Sequence, residues 1–394
     1  MNLDYIGKKS EPQILNGYET CGVFNTATGQ YVNGITDNLL IYSDNLFALK
    51  ALMNTHHKKI DLIYIDPPFA TNNNFRIGLD RVSTISSSKS DRIAYSDIIT
   101  EESYLEFLRE RLVILRELLS DEGSIYLHID YKIGHYVKII MDEIFGQKNF
   151  LNDITRIKCN PKNFHRKAYG NIKDMILFYS KSNRHIWNDV TEALTEKDRS
   201  RLYKKLDKHG NPYTTIPLHA PGESNGDTGK PWRGIQPPVG RHWRTNPTIL
   251  EQWNEIGLIE WSKTGNPRKI VYPDVSKGKK IQDIWEFKDP QRPLYPTEKN
   301  LNLLEQIILN SSNKDSYVLD CFCGSGTTIV AAELHDRRWI GIDQSSDAIR
   351  VVQNRLNLLD CSYENCIYQP IGKTTQTTLF SGDDEDVYRI ARSI

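Results

Sequence analysis

Short apolar runs of strand length alternate along this chain with stretches whose apolar residues recur every three or four positions. Leu39–Ser43 is the first clear run and ends at Asp44-Asn45; Leu46, Leu49, Leu52 and Met53 then share one helical face. Ile60–Ile65 is continuous and β-branched, the pattern of a strand buried on both faces of a parallel sheet. Thr100 is placed to cap a helix carrying Leu105, Leu108, Leu112, Leu115 and Leu119, and Ser124–Ile129 reads as the next buried strand. A helix from about Tyr131 to Phe145 closes at Gly146, and strands follow near Ile154–Lys158 and Met175–Tyr179. After a long interval the alternation resumes: a helix over Thr297–Leu309, a strand to Asp320, a glycine turn, a helix to about Leu334, a strand over Trp339–Ile342 and a last helix over Ser346–Leu358. Strands alternating with helices predict an α/β fold with a doubly wound, mainly parallel sheet.

Three stretches break the pattern. Residues 70–97 are rich in Asn, Ser and Thr, bury little, and predict a loop leaving the end of the Ile60–Ile65 strand, suited to a lid or clamp. Between about 151 and 285 the readable strands give way to Pro, Gly, Trp and basic residues with little periodicity. The chain beyond Tyr368 reads as frayed, with the acidic run Asp383-Asp384-Glu385-Asp386.

Composition alters this picture in one place. The 394 residues carry 50 basic and 50 acidic side chains, so net charge points to no partner, but from Arg156 to Arg244 there are 18 Lys/Arg against 8 Asp/Glu. A local basic excess on a neutral chain suits a polyanion. The 6 cysteines show neither CxxC pairing nor Cys/His ligand spacing, so no metal site is expected and reduced thiols are. A polar N-terminus and the lack of any apolar run of membrane length predict a soluble, cytoplasmic protein.

Two corners carry candidate chemistry. Asp66-Pro67-Pro68-Phe69 ends the Ile60–Ile65 strand; the prolines stop the ladder and hold Asp66 extended at the carboxyl end, where open α/β sheets bind ligands. Gly324-Ser325-Gly326 joins a strand to a helix, where glycines permit a sharp turn and close approach of a ligand. Neither the third glycine of a dinucleotide fingerprint nor a P-loop Lys follows, which leaves the turn of an adenosyl cofactor and counts against a dehydrogenase. Asp343 ends the next strand 17 residues after Gly326, the position from which such sheets hold ribose hydroxyls.

Asp-Pro-Pro-Phe, together with Asp320-Cys321-Phe322-Cys323-Gly324-Ser325-Gly326, resembles the catalytic and cofactor motifs of the DNA amino-methyltransferases, over about Leu39 to Leu358. With the catalytic motif first, the basic segment next and the cofactor motif last, the order is similar to the circularly permuted beta class of restriction-modification systems. The resemblance implies S-adenosylmethionine as cofactor, bound by Asp44, Asp66, Asp320, Phe322, Gly324, Ser325, Gly326, Thr327 and Asp343. Asp44 is equally a simple helix cap, and the two roles are compatible. Tyr295-Pro296-Thr297-Glu298-Lys299 partly matches the segment lining the methionine end of the cofactor, which adds Thr297 and Lys299, although helix capping explains Thr297 as well.

The resemblance further implies methylation of N6 of a flipped adenine in duplex DNA, with Asp66 and the Pro67 carbonyl accepting the amine hydrogens and Phe69 stacking on the base. No cysteine follows a proline, so cytosine-C5 chemistry is excluded. Cytosine-N4 methylation, an RNA or protein substrate, and a non-catalytic DNA-binding subunit remain as alternatives. The expected organisation is an arm over 1–35, a catalytic half over 36–155, a target-recognition region over 156–285, a cofactor half over 286–368 and a disordered tail over 369–394. Arg156, Lys158, Lys162, Arg166, Lys167, Arg233, Arg241 and Arg244 are candidate DNA contacts. A cognate restriction endonuclease is the expected functional partner, and members of the class often pair, so a homodimer is admitted.

Overall fold

A buried apolar run must satisfy its backbone groups through neighbouring strands, and here the runs assemble into one sheet. The computed structural model describes residues 2–34, 38–68, 74–77, 82–83, 92–96, 101–161, 167–273, 278–291, 293, 295 and 298–371. Its main sheet is built from β1 (Cys21–Asn25), β2 (Gln30–Tyr31), β3 (Leu39–Tyr42), β4 (Ile60–Ile65), β5 (Leu119–Ile129), β6 (Phe150–Ile157), β7 (Lys173–Ser180), β8 (Ile284–Trp285), β9 (Tyr317–Asp320), β10 (Arg338–Asp343) and β11 (Glu364–Pro370). The order is β8-β6-β7-β5-β4-β9-β10-β3-β11-β1-β2.

From β5 through β4, β9, β10 and β3 to β11 every pairing is parallel. Antiparallel β7 lies against β5, and antiparallel β1 against β11. From β4 the chain moves outward to β5; from β9 it moves the opposite way to β10. The sheet therefore reverses between β4 and β9, which makes their carboxyl ends a topological switch point. Val318 faces Leu62 and Leu319 faces Ile63, so Asp66 and Asp320 leave the sheet at the same edge.

Helices α1 (Asn45–His56), α2 (Glu101–Leu118), α3 (Gly134–Phe145), α4 (Leu301–Ser311), α5 (Thr327–Leu334) and α6 (Ser346–Asn357) cover the sheet. The spacing that predicted α2 buries Leu108, Leu112 and Leu115 completely, each a side chain whose burial is worth about 1.5–3 kcal/mol. Gly146 ends α3 with φ +87°, a conformation glycine adopts without a Cβ penalty. Among the described residues no helix is long and apolar enough to cross a membrane.

The structure corrects several boundaries. Helix α4 starts at Leu301 with Asn300 as its cap, accepting the Asn302 N–H at 3.0 Å; Thr297, expected to cap it, lies outside the described residues. The stretch expected as a frayed tail begins inside a strand, since Gln369 and Pro370 pair with Gly22 and Cys21. The N-terminal arm contains an edge hairpin, β1 and β2. Within 70–97, expected as a loop, three short strands (Asn74–Ile77, Val82–Ser83, Arg92–Ser96) form a small sheet. The basic region also divides: 191–281 form a separate compact unit, whereas β6 and β7 belong to the main sheet.

That division removes one DNA candidate. Arg156 is 0% exposed, its Nη2 2.5 Å from the exposed Asp289 and its Nη1 3.7 Å from the buried Asp174, so it is committed to these acids and cannot reach a phosphate. Replacing it would take a buried cation from beside Asp174 and open a cavity where the guanidinium packs. Arg156→Ala is expected to cost about 3–5 kcal/mol of stability, read by urea denaturation, and to leave the salt dependence of DNA binding unchanged.

Residues 191–281 form their own fold. A four-stranded antiparallel sheet joins Lys205–Leu206, Pro212–Pro217, Pro267–Val271 and Ile259–Trp261. Its core is Leu218, Trp232, Trp243, Leu250 and Ile259. Two of the tryptophans noted in the sequence are thus packing residues, and Lys269 covers Trp253 at 3.4 Å.

Candidate active site

Strand β4 delivers Asp66 to the switch point, and buried Pro67 ends the ladder behind it. The two carboxylate oxygens of Asp66 differ. Oδ2 forms an ion pair with Lys299 Nζ, while Oδ1 is buried and has no hydrogen-bond partner among the described residues. A buried acceptor left open in this way costs free energy unless a donor arrives, which is a mark of a ligand position. His128 Nδ1 lies 3.9 Å from Oδ1. Phe69 falls outside the described residues.

The second corner meets Asp66 across the strand boundary. After β9 the chain turns through Gly324 (φ +49°) and Gly326 (φ +73°) into α5. A Cβ on Gly326 would sit 2.8 Å from Val352 Cγ2, so the turn needs glycine there for both conformation and space. Asp343, at the end of β10, accepts the Gly324 N–H at 2.9 Å through Oδ2 and the Ser345 N–H at 2.8 Å through Oδ1. Burial raises its pKa against these backbone donors. Phe322 packs 6.1 Å from Phe107, ring centre to ring centre.

The pattern of the sequence did not reveal Arg355. From α6 its Nη1 reaches the Ser325 carbonyl at 2.9 Å, Thr327 Oγ1 at 3.1 Å and Glu298 Oε1 at 3.2 Å, tying the glycine turn to the residue beside Lys299. Tyr295 is buried and its ring would touch a Cβ on Gly324 at 3.8 Å.

Asp320 is a buried acid accepting the Phe322 N–H at 3.0 Å and the Thr328 hydroxyl at 2.6 Å. Burial, reinforced by the charges of Asp66 and Asp343, outweighs those bonds and raises its pKa to about 7. The folded protein thus holds this proton more tightly than the unfolded chain does. Its stability should fall as pH rises from about 4 to about 7 and level off above. Asp320→Asn cannot titrate, so its stability relative to the parent is expected to improve across that window by on the order of 2–4 kcal/mol in urea denaturation. A difference independent of pH would refute the assignment.

Asp44 caps α1, its Oδ1 accepting the Leu46 N–H at 2.8 Å, and Arg111 Nη2 lies 3.6 Å from its Oδ2. Of the remaining basic candidates, Lys158 Nζ is committed to Asp174 at 2.6 Å, and Lys162 and Arg166 lie outside the described residues. Lys167 is exposed. Arg233 is exposed but forked on Glu251. Arg241 and Arg244 are exposed on and beside the hairpin of His219–Pro221 with Arg241–Trp243. Burial first, and then these two arginines, hold His219 below its ordinary pKa.

Three comparisons bear on this arrangement. A family profile described as DNA methylase matches residues 60–354. Over 386 residues the chain is 39% identical to the Type II methyltransferase M.EcaI of Enterobacter cloacae, covering 96% of this chain and 82% of that protein. It is 27% identical to the Type III restriction-modification enzyme StyLTI Mod subunit of Salmonella typhimurium, covering 75% of this chain and 50% of that subunit. Among solved structures, the M1.HpyAVI–SAM complex is similar at 17% identity and a TM-score of 0.45, over 81% of this chain and 98% of that one.

Proposed function

The chain belongs to the DNA methylase family, and from that premise we propose that it methylates N6 of adenine at a specific site in duplex DNA, using S-adenosylmethionine. The observation that carries the proposal is the asymmetric carboxylate of Asp66: one oxygen held by Lys299, the other buried and open, beside the glycine turn. The cofactor, when bound, supplies a methyl group activated on a sulfonium. The residues present fit it, because Gly324 and Gly326 hold the left-handed turn that carries β9 into α5, and Asp343 stands at the tip of the next strand for the ribose. Lys299 and Phe322 flank the same edge.

An exocyclic amine is a poor nucleophile while its lone pair is delocalised into the ring. Asp66 Oδ1 can accept one amine hydrogen and the Pro67 carbonyl the other, which draws the nitrogen toward tetrahedral geometry and directs its lone pair at the methyl group. The chain then contributes mainly position and electrostatics. An acid in the first position of the motif favours adenine over cytosine. Arg241, Arg244 and Lys167 are the proposed phosphate contacts, and Arg241→Ala should reduce the slope of log K against log salt by about 1 without loss of stability. A cognate restriction endonuclease is proposed as functional partner.

The test is methyl transfer from radiolabelled S-adenosylmethionine to unmethylated bacterial DNA, followed by digestion to nucleosides and chromatography. Label in N6-methyladenine is expected. Label confined to N4-methylcytosine would overturn the choice of base, and none in any nucleoside would overturn DNA as substrate.

A further inference from the structure

Behind Asp66 lies a buried chain of polar groups that the methyl-transfer reading leaves without a task. His128, on β5, is 0% exposed. Its Nδ1 is 2.9 Å from the Tyr64 hydroxyl and its Nε2 is 3.3 Å from Asp174 Oδ2. Asp174, on β7, is in turn held by Lys158 at 2.6 Å and faced by Arg156 at 3.7 Å. Among the described residues, the charged or titratable groups around the imidazole include Tyr64 and Asp66 from β4 and its end, Asp174 from β7, Arg156 from β6 with Lys158 just beyond it, and Lys299 across Asp66.

This arrangement fixes the tautomer. Asp174 accepts from Nε2–H, so in the neutral ring Nδ1 carries the lone pair and accepts from Tyr64. Nδ1 is also 3.9 Å from the open oxygen of Asp66, and a proton arriving from that side takes the lone pair as the Tyr64 hydroxyl turns its own proton away. Burial keeps the imidazole neutral at rest, against the pull of Asp66 and Asp174, as an acceptor must be.

Methylation of an amine releases a proton. Lys299 is paired with Asp66 through Oδ2, and a carboxylate is intrinsically a weaker base than an imidazole. Asp66 can receive the proton but is not the group that keeps it. We infer that His128 is the proton acceptor behind Asp66, taking onto Nδ1 the proton that the target amine gives to Oδ1; this rests on the reading of the protein as an amino-methyltransferase. The bond from nitrogen to methyl forms as the sulfur–methyl bond breaks, with that bond's electron pair left on sulfur. The amine's N–H pair stays on nitrogen while its proton moves to Oδ1 and on to Nδ1. The positive charge that leaves sulfur comes to rest on an imidazolium between Asp66 and Asp174. A contraction of about 1 Å brings the 3.9 Å separation to hydrogen-bond length.

Two variants test it in the full-length chain. His128→Gln keeps a side chain able to bond Tyr64 and Asp174 but holds no proton near neutral pH. Its single-turnover methyl transfer should fall about 100-fold, lose the acid limb that protonation of His128 gives the parent, and bind S-adenosylmethionine within twofold of the parent. Tyr64→Phe, nearly isosteric, removes the hydroxyl that donates to the neutral ring, so the acid limb should move up by about one pH unit. The histidine NMR resonance missing in His128→Gln should titrate with the limb and shift with it. An unaltered rate in His128→Gln, or a limb and resonance unmoved in Tyr64→Phe, overturns the inference; the second result decides even where the first variant does not fold. If the parent labels DNA and the variants match it, only this inference fails. A parent that labels no nucleoside overturns the functional reading as well.

Discussion

Asp66→Ala should reduce single-turnover methyl transfer by about 10³-fold while leaving binding of S-adenosylmethionine within about tenfold of the parent. The substitution deletes a buried acceptor that stands open at the switch point and also removes the carboxylate paired with Lys299. Both losses fall on the reacting amine: the acceptor that draws the nitrogen out of its plane is gone, and the Lys299 ammonium no longer has this carboxylate between it and a nitrogen developing positive charge. The turn that would seat the cofactor is built by other residues, namely Gly324, Gly326, Asp343 and Arg355, so affinity should survive. Asp66→Asn is the informative companion, since its amide oxygen can still accept one bond but cannot balance Lys299. It should fall between parent and alanine variant. Rapid quench with preincubated cofactor separates the chemical step from binding; an alanine variant that binds cofactor and transfers methyl at the parental rate would remove Asp66 from the mechanism.

The residues that make this prediction possible were legible in the sequence because each leaves a local signature. A β-branched run stopped by two prolines can only be a strand end, and two glycines between a strand and a helix can only be a turn. Their convergence was legible too, since alternating strands and helices bring strand ends to one edge. What local pattern does not carry is pairing between distant strands. Arg156 faces Asp174 across the β6–β7 pairing and meets Asp289 from 133 residues further along the chain, so counting charge along the chain treated a buried ion pair as phosphate-binding surface. The same blindness hid His128, which sits in an apolar run and acquires its meaning from Tyr64 on one neighbouring strand and Asp174 on the other. Arg355 shows the converse case: a basic residue on an amphipathic helix looks solvated until the turn it clasps is in place.

Asp343→Ala should weaken S-adenosylmethionine binding by about 100-fold, with a smaller loss of transfer rate once the site is saturated. Both carboxylate oxygens are already engaged by backbone donors, Gly324 from the cofactor turn and Ser345 from the start of α6. Asp343 is therefore the tie that holds two loops in register, at the strand tip where a ribose would lie. Removing it leaves the Gly324 and Ser345 N–H groups without their acceptor and takes away the proposed partner of the sugar hydroxyls. Hydrogen bonds to a charged group are worth about 1.5–3 kcal/mol each, and losing one or two such contacts on binding gives the expected hundredfold. Asp343→Asn retains one carbonyl oxygen for Gly324 but turns an amide donor toward Ser345, so it should preserve the fold of the turn better than it preserves affinity. Isothermal titration of the cofactor against parent and both variants distinguishes the roles. If the asparagine variant recovers full affinity, Asp343 serves only to shape the turn; if both variants bind weakly while their unfolding curves match the parent, the carboxylate itself contacts the cofactor.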